Sequence, residues 1–188
     1  MYLEIELLKK ALSSKITPTV KHDGKTKLAA VLIVIYGKES MIIMTERPKT
    51  MNHHAGEISF PGGTWTQRDD DLLTTALRET KEEMNLDISR QQIIGQLKPV
   101  TTLNSGFTIM PFICILDEIP KLVPNSEIES ILHIPFLALL NTIEDDLDPS
   151  HKSIQEMYAF RYQHHLIWGA SARMLKQMFN ILSEIGLV

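Results

Sequence analysis

Apolar positions along the chain change their period several times, and each change marks an element. Near the N-terminus Leu3, Leu7, Leu8 and Leu12 recur at helical spacing, which predicts a short amphipathic helix over residues 2–14. Two continuous apolar runs, 28–36 and 41–45, then read as strands, and Gly37-Lys38-Glu39-Ser40 between them suits a hairpin. Residues 46–56 carry Pro, Lys, Asn and His and predict a loop; a brief strand over 57–60 stops at a Pro61-Gly62-Gly63 turn. Asp69-Asp70-Asp71 offers cap oxygens and negative charge where a helix start favours both. Leu73, Leu77, Thr80 and Met84 continue as a mostly apolar stripe, and Asn85 tolerates the left-handed conformation that closes a helix.

Strand patterns recur at 93–97, 98–103, 109–116 and 131–136, where Pro135 argues against a central position in a sheet. A last helix is predicted from about 170 to 185, its buried side marked by Met174, Leu175, Met178, Phe179 and Leu182. Strands in the middle flanked by helices predict a single α+β domain over residues 1–188, with the N-terminal helix at about 2–14 and the core at about 28–180.

Composition narrows the partners. The chain has 188 residues, 44% hydrophobic and 22% charged, as a folded globular domain does. A net charge of −4 speaks against a general nucleic-acid binder. It leaves room for a phosphorylated small molecule if a metal supplies positive charge locally. The longest apolar run is far short of the roughly 20 residues that a spanning helix needs, so no membrane partner is expected. The single cysteine, Cys114, cannot form an internal disulfide; on an apolar strand it reads as a buried, inert thiol. Without a basic-then-apolar start, the expected location is cytoplasmic, as a monomer or homodimer.

The chemistry concentrates in Arg78-Glu79-Thr80-Lys81-Glu82-Glu83. On a helix Glu79 meets Glu82 and Glu83 at spacings of three and four, so three carboxylates crowd one face, away from the apolar stripe. Such charges repel, and a hard divalent cation with a preference for oxygen ligands would reverse that balance. The bland reading is a solvated acidic face paired with Lys81 and Arg78.

Gly63 followed by Arg78-Glu79-Thr80-Lys81-Glu82-Glu83-Met84-Asn85-Leu86 resembles the Nudix box, G-x5-E-x7-R-E-U-x-E-E-x-G-U. Upstream, Met44-Thr45-Glu46-Arg47 and Gly56-Glu57-Ile58-Ser59-Phe60-Pro61-Gly62-Gly63 are similar to the signature of the coenzyme A pyrophosphatase branch, L-L-T-x-R-[SA]-x3-R-x3-G-x3-F-P-G-G. The departures are specific. Gly63-to-Arg78 is one residue longer than the standard box, and Asp69, Asp70 or Asp71 stands in for its first glutamate. Thr80 and Asn85 replace an apolar residue and a glycine, Pro48 replaces Ser or Ala, and Asn52 stands where the branch has Arg.

The resemblance implies a Nudix fold, a mixed sheet between helices. It implies Mg²⁺ or Mn²⁺ held by Glu79, Glu82, Glu83 and the Gly63 carbonyl, with these three glutamates and Arg78 as the catalytic set. Arg78 would orient a carboxylate such as Glu82. Arg47, Lys49, Gly62 and Gly63 would bind a nucleotide substrate through its phosphates. Glu57, Glu127 and Glu129 are further acids within reach of such a site; His53 and His54 lack the spacing of a zinc centre, and Trp168 suits either an adenine or the core. The expected activity is hydrolysis of the diphosphate of coenzyme A or acyl-coenzyme A to adenosine 3′,5′-bisphosphate and a phosphopantetheine. ADP-ribose, NADH or a dinucleoside polyphosphate is the alternative substrate, and a non-catalytic nucleotide sensor the alternative from another class.

Overall fold

In the computed structural model, residues 2–19, 26–50, 56–102, 105–148 and 157–188 are described. Strand β1 (Lys27–Tyr36) is the spine of the molecule. It pairs in parallel with β7 (Phe107–Leu116) over its whole length, from Lys27 opposite Phe107 to Tyr36 opposite Leu116. A strand with neighbours on both sides and helices on both faces must be apolar at consecutive positions, which is why 28–36 reads as an unbroken run.

The sheet grows antiparallel from this pair. Beside β1 lies β2 (Met41–Glu46), which also pairs with β3 (Ile58–Ser59) and with β8 (Ser130–Pro135). On the other side β7 carries β5 (Ile93–Gln96) and β6 (Val100–Thr101). Pro135 closes β8, which among the described residues pairs with β2 alone, so the proline sits on an edge as expected. The strand expected over 98–103 shrinks to β6, and Leu103 and Asn104 lie outside the described residues.

The segment Pro61-Gly62-Gly63 is not a turn. Gly62–Thr64 forms strand β4 and pairs antiparallel with Ala29, Ala30 and Val31 of β1. Pro61 needs no donor at the strand's start, and its carbonyl accepts from Leu32 N at 2.9 Å.

Alternation along β1 divides two cores. Leu28, Ala30, Leu32 and Val34 face helix α2 (Leu72–Met84), packing with Leu72, Leu73, Ala76 and Met84. Ile33 and Ile35 face the opposite core, closed by α1 (Tyr2–Leu12), α3 (Phe136–Leu140) and α4 (Gly169–Ser183). The buried side of α4 is Met174, Leu175, Met178 and Leu182, as its spacing predicts, with Phe179 packed at the margin. Cys114 is buried, and burial pushes its thiol up to about 12, which makes it inert at neutral pH. A small second sheet of β9 (Glu144–Asp145), β10 (Tyr158–Tyr162) and β11 (His165–Ile167) completes the α+β layers. Among the described residues no helix is long and apolar enough to cross a membrane.

Gly95 in β5 marks where the chain leaving α1 crosses the sheet. A Cβ there would collide with the Leu12 carbonyl and stand 2.9 Å from Ser14 N. Gly95→Ala is therefore expected to cost about 1–3 kcal/mol in urea denaturation, with the folded state otherwise retained.

Candidate active site

Helix α2 is fixed at both ends by its own sequence. Asp71, in extended conformation, accepts from Thr74 N at 2.8 Å, and Asn85 closes the helix with φ 56° and an N–H to Lys81 O. Of the three aspartates, Asp71 is thus the cap, and it also pairs with Arg90 at 2.6 Å. The buried side of α2 is wider than the expected stripe: Thr75, Ala76, Thr80 and Glu83 are buried with Leu73 and Met84, while Leu77 is only half-buried.

Glu83 is the correction that matters. It does not stand off the apolar stripe but turns toward the sheet, 4% exposed, where Gly62 N donates to its Oε2 at 3.1 Å. The sheet can come this close because β4 has no side chains there. A Cβ on Gly62, whose φ is 151°, would meet Val31 Cα at 2.6 Å. A Cβ on Gly63 would lie 2.5 Å from Glu79 Cδ. Both glycines are needed for close approach rather than for a turn.

Arg78 gathers the remaining acids. Its Nη1 donates to Glu79 Oε1 at 2.8 Å and to Glu82 Oε2 at 3.1 Å. Its Nε and Nη2 form a two-pronged bond to Asp69 at 2.8 and 2.9 Å. Asp69 is buried and accepts further from Thr66 N and Thr75 Oγ1 at 3.2 and 3.1 Å. Asp69 lies six residues after Gly63, the place of the first box glutamate, so the extra residue of this chain falls between Asp69 and Arg78. That spacing from Gly63 is the signal that selects it from the three aspartates.

The electrostatics follow from burial. The Arg78 guanidinium holds the Asp69 carboxyl down at about 2, and Asp69 in turn raises Arg78. Asp69 has a lower pKa folded than unfolded, so its contribution is in place above the ordinary carboxylate range and is lost as pH falls through about 2. Burial pushes Glu83 up to about 7; the Gly62 N–H and the Arg47 charge oppose this, while Glu79 and Glu127 reinforce it. Glu79 is likewise raised, chiefly by burial.

Arg47 and Glu127 therefore act on the cluster from neighbouring segments. Arg47 N donates to Glu57 O at 3.1 Å and its carbonyl accepts from Gly56 N, so the loop is clasped at its base. The Lys49 side chain passes over Gly56. Residues 51–55, with Asn52, His53 and His54, lie outside the described residues. Glu127 sits in an Asn125 turn whose N–H donates to Glu83 O at 2.9 Å. Glu129 is exposed and bonds through its backbone to Glu46 O, and half-buried Trp168 occupies the N-cap position of α4.

Among the described residues no three acidic or histidine side chains already converge on one point: Arg78 engages Glu79 and Glu82, and Gly62 engages Glu83. The donor chemistry nonetheless fits a hard divalent cation. The candidate donors are carboxylate oxygens closely packed on a glycine backbone, and Glu79 and Glu83 are raised chiefly by burial, with neighbouring acids adding to it, so a cation beside them would favour their ionised forms.

The NUDIX domain pattern matches residues 26–156 of this chain, well over half of it. The chain belongs to the Nudix family. An uncharacterized Nudix hydrolase named NudL from Photorhabdus laumondii subsp. laumondii is 32% identical over 159 residues, covering 83% of this chain and 84% of the relative. A MutT/nudix family protein from Enterococcus faecalis shares the fold at a TM-score of 0.60 and 14% identity, covering 97% of this chain and 74% of its own. A Nudix hydrolase from M. smegmatis, RenU, aligns at 0.53 with 15% identity over 85% and 88% of the two chains. This Nudix chain is accordingly an enzyme, a hydrolase of a pyrophosphate-containing substrate. Nudix hydrolases generally use divalent metal ions and act on small nucleotides.

Two predictions come from this geometry. Gly63→Ala meets only the mobile end of Glu79, so it should fold with a stability change within about 1 kcal/mol while Mn²⁺ binding, read by electron paramagnetic resonance, weakens severely. Glu83→Gln should stabilise the metal-free protein at high pH. Because its pKa is raised on folding, Glu83 destabilises the native state progressively from about 4.5 to about 7 and fully above that. Melting without divalent ions should show a gain of up to about 3 kcal/mol at pH 8 that disappears near pH 4.

Proposed function

We propose that this Nudix hydrolase cleaves the diphosphate of coenzyme A or acyl-coenzyme A, giving adenosine 3′,5′-bisphosphate and the corresponding phosphopantetheine. The observation that carries the reading is the hydrogen bond from the Gly62 N–H to Glu83 Oε2 at 3.1 Å. Gly62 belongs to the upstream signature and Glu83 to the acidic helix, so the two motifs meet in one place.

Arg47, assisted by Lys49, binds the phosphates, and Gly62 and Gly63, which bring the sheet against the acidic helix, complete the substrate contacts through their backbone. Glu79, Glu82 and Glu83, with the Gly63 carbonyl, would hold Mg²⁺ or Mn²⁺, which supplies offset of charge on the diphosphate oxygens and a more acidic water. Arg78, itself fixed by Asp69, sets the positions of Glu79 and Glu82. Glu82 is the exposed member of the set and takes the proton of the attacking water as its oxygen bonds to phosphorus and the bridging P–O bond breaks.

One residue favours the alternative substrates, ADP-ribose, NADH or a dinucleoside polyphosphate. Asn52 stands where the coenzyme A branch has Arg. Incubation with Mg²⁺ or Mn²⁺ and a nucleotide panel, with products identified by mass, separates the two readings. The expected result is turnover of coenzyme A well above ADP-ribose, and loss of about 100-fold or more in kcat for Glu82→Gln. Equal or faster turnover of ADP-ribose would move the assignment, and full activity of the Glu82 variant would remove the acidic helix from the mechanism.

A further inference from the structure

A groove of about 510 Å³ runs beside the site, and the chemistry above makes no use of it. Its floor is Ile131 and His133 of β8, which alternate onto the same face of the strand, and its end is Tyr36 of β1. Ile119, Leu122 and Pro124 of the segment after β7 form the opposite wall. Tyr36 Oη and His133 Nδ1 lie 2.9 Å apart with their rings edge to face. Whichever of the two donates, the pair retains one donor and one acceptor for a ligand.

The near end of the groove adjoins the chain segments that border the candidate site. Pro124 precedes Asn125, whose N–H donates to Glu83 O, and Ile131 follows Glu129 by two residues. Between them sits Glu127, whose charge acts on Glu79 and Glu83. The far end is at the level where Tyr36 pairs with Met41 and Met41 with Pro135. From Ile131 to that level is four residues of strand, or about 13 Å.

We propose that this groove binds the pantetheine arm of the substrate. The inference rests on the coenzyme A reading and deepens it. An extended arm of methylenes, a dimethyl carbon and two amides asks for an apolar trough with a few hydrogen-bonding groups, and each amide brings one N–H and one C=O. The apolar walls match the first requirement and the Tyr36–His133 pair the second. The volume falls in the range of roughly 300–1,000 Å³ typical of small-molecule sites. Lys121 is the single formal charge among the described lining residues, so the groove does not suit the two phosphates of the nucleotide end. That end belongs with Arg47 and Lys49, which fixes the direction of the substrate across the cluster.

His133→Trp fills the groove from an exposed edge strand, and Tyr36→Phe deletes one hydroxyl. Binding of 4′-phosphopantetheine by calorimetry and KM for coenzyme A and for ADP-ribose are measured on each variant, with melting curves as the check on folding. The expected result is phosphopantetheine binding weakened and KM for coenzyme A raised, about tenfold or more for His133→Trp and severalfold for Tyr36→Phe. KM for ADP-ribose, which lacks the arm, should stay within about twofold of wild type, the range of a distant surface substitution. If His133→Trp does not fold, Tyr36→Phe alone decides. Parallel shifts on both substrates, unchanged phosphopantetheine binding in the variants, or no phosphopantetheine binding by the wild type would overturn the groove. Wild-type phosphopantetheine binding that the variants weaken, without coenzyme A turnover, would overturn the substrate reading and leave the groove standing.

Discussion

The site depends on one close contact, that between the underside of α2 and a stretch of sheet without side chains. At Gly62 the backbone N–H meets the buried Glu83 carboxylate, and at Gly63 the Cα stands against Glu79. Any larger residue at Gly62 would strike the backbone of β1, and any at Gly63 would displace the carboxylate of Glu79. The helix therefore cannot hold its acids at this depth over any ordinary strand. The depth has an energetic consequence, because a carboxyl raised to about 7 is one that the fold disfavours as an anion. The protein keeps a group that weakens its own metal-free native state, as enzymes do where function sets the environment.

Arg78 limits how much of that charge is neutralised. Two of its donors are committed to Asp69, which leaves Nη1 alone for Glu79 and Glu82. When all are ionised, Asp69, Glu79, Glu82 and Glu83, with Glu127 beside them, carry more negative charge than Arg78 and Arg47 can offset, an excess that a divalent cation would reduce. An arginine free of Asp69 would pair fully with the helix acids and compete with a cation for them. Asp69 thus serves as both anchor and counter-charge, and its burial with every acceptor occupied explains why it can be held ionised at a depth where a lone carboxylate could not.

What could be read along the chain was what neighbours in sequence decide. The apolar run of β1, a cap within Asp69-Asp70-Asp71 and another at Asn85, and the spacing of Glu79, Glu82 and Glu83 are local facts, and each appears where the sequence puts it. Pairing between distant segments was not legible. Nothing within Pro61-Gly62-Gly63 announces that β1, some thirty residues earlier, will take it as a strand, and the burial of Glu83 follows from that pairing alone. Among three consecutive aspartates only the spacing from Gly63 points to the first, and its meaning becomes plain where Arg78 reaches back nine residues to it. Strands of two or three residues, such as β9 and β11, and the single turn of α3 are too short to carry a period, so they escaped the hydrophobic pattern.

The segment between β7 and β8 joins chemistry to selectivity. Val123 N donates to Met84 O and Asn125 N to Glu83 O, so this segment satisfies carbonyls that the end of α2 leaves open. The same few residues then present Glu127 to the carboxylate cluster and Leu122 and Pro124 to the groove. Val123 and Asn125 must keep their N–H groups to close helix α2, so neither position tolerates proline. Ile119 and Leu122, one short step upstream, line the groove without touching that closure, so the lining can change while the acids stay in place. The architecture separates the part that must be constant for phosphorus chemistry from the part that can be tuned to the group attached beyond the diphosphate.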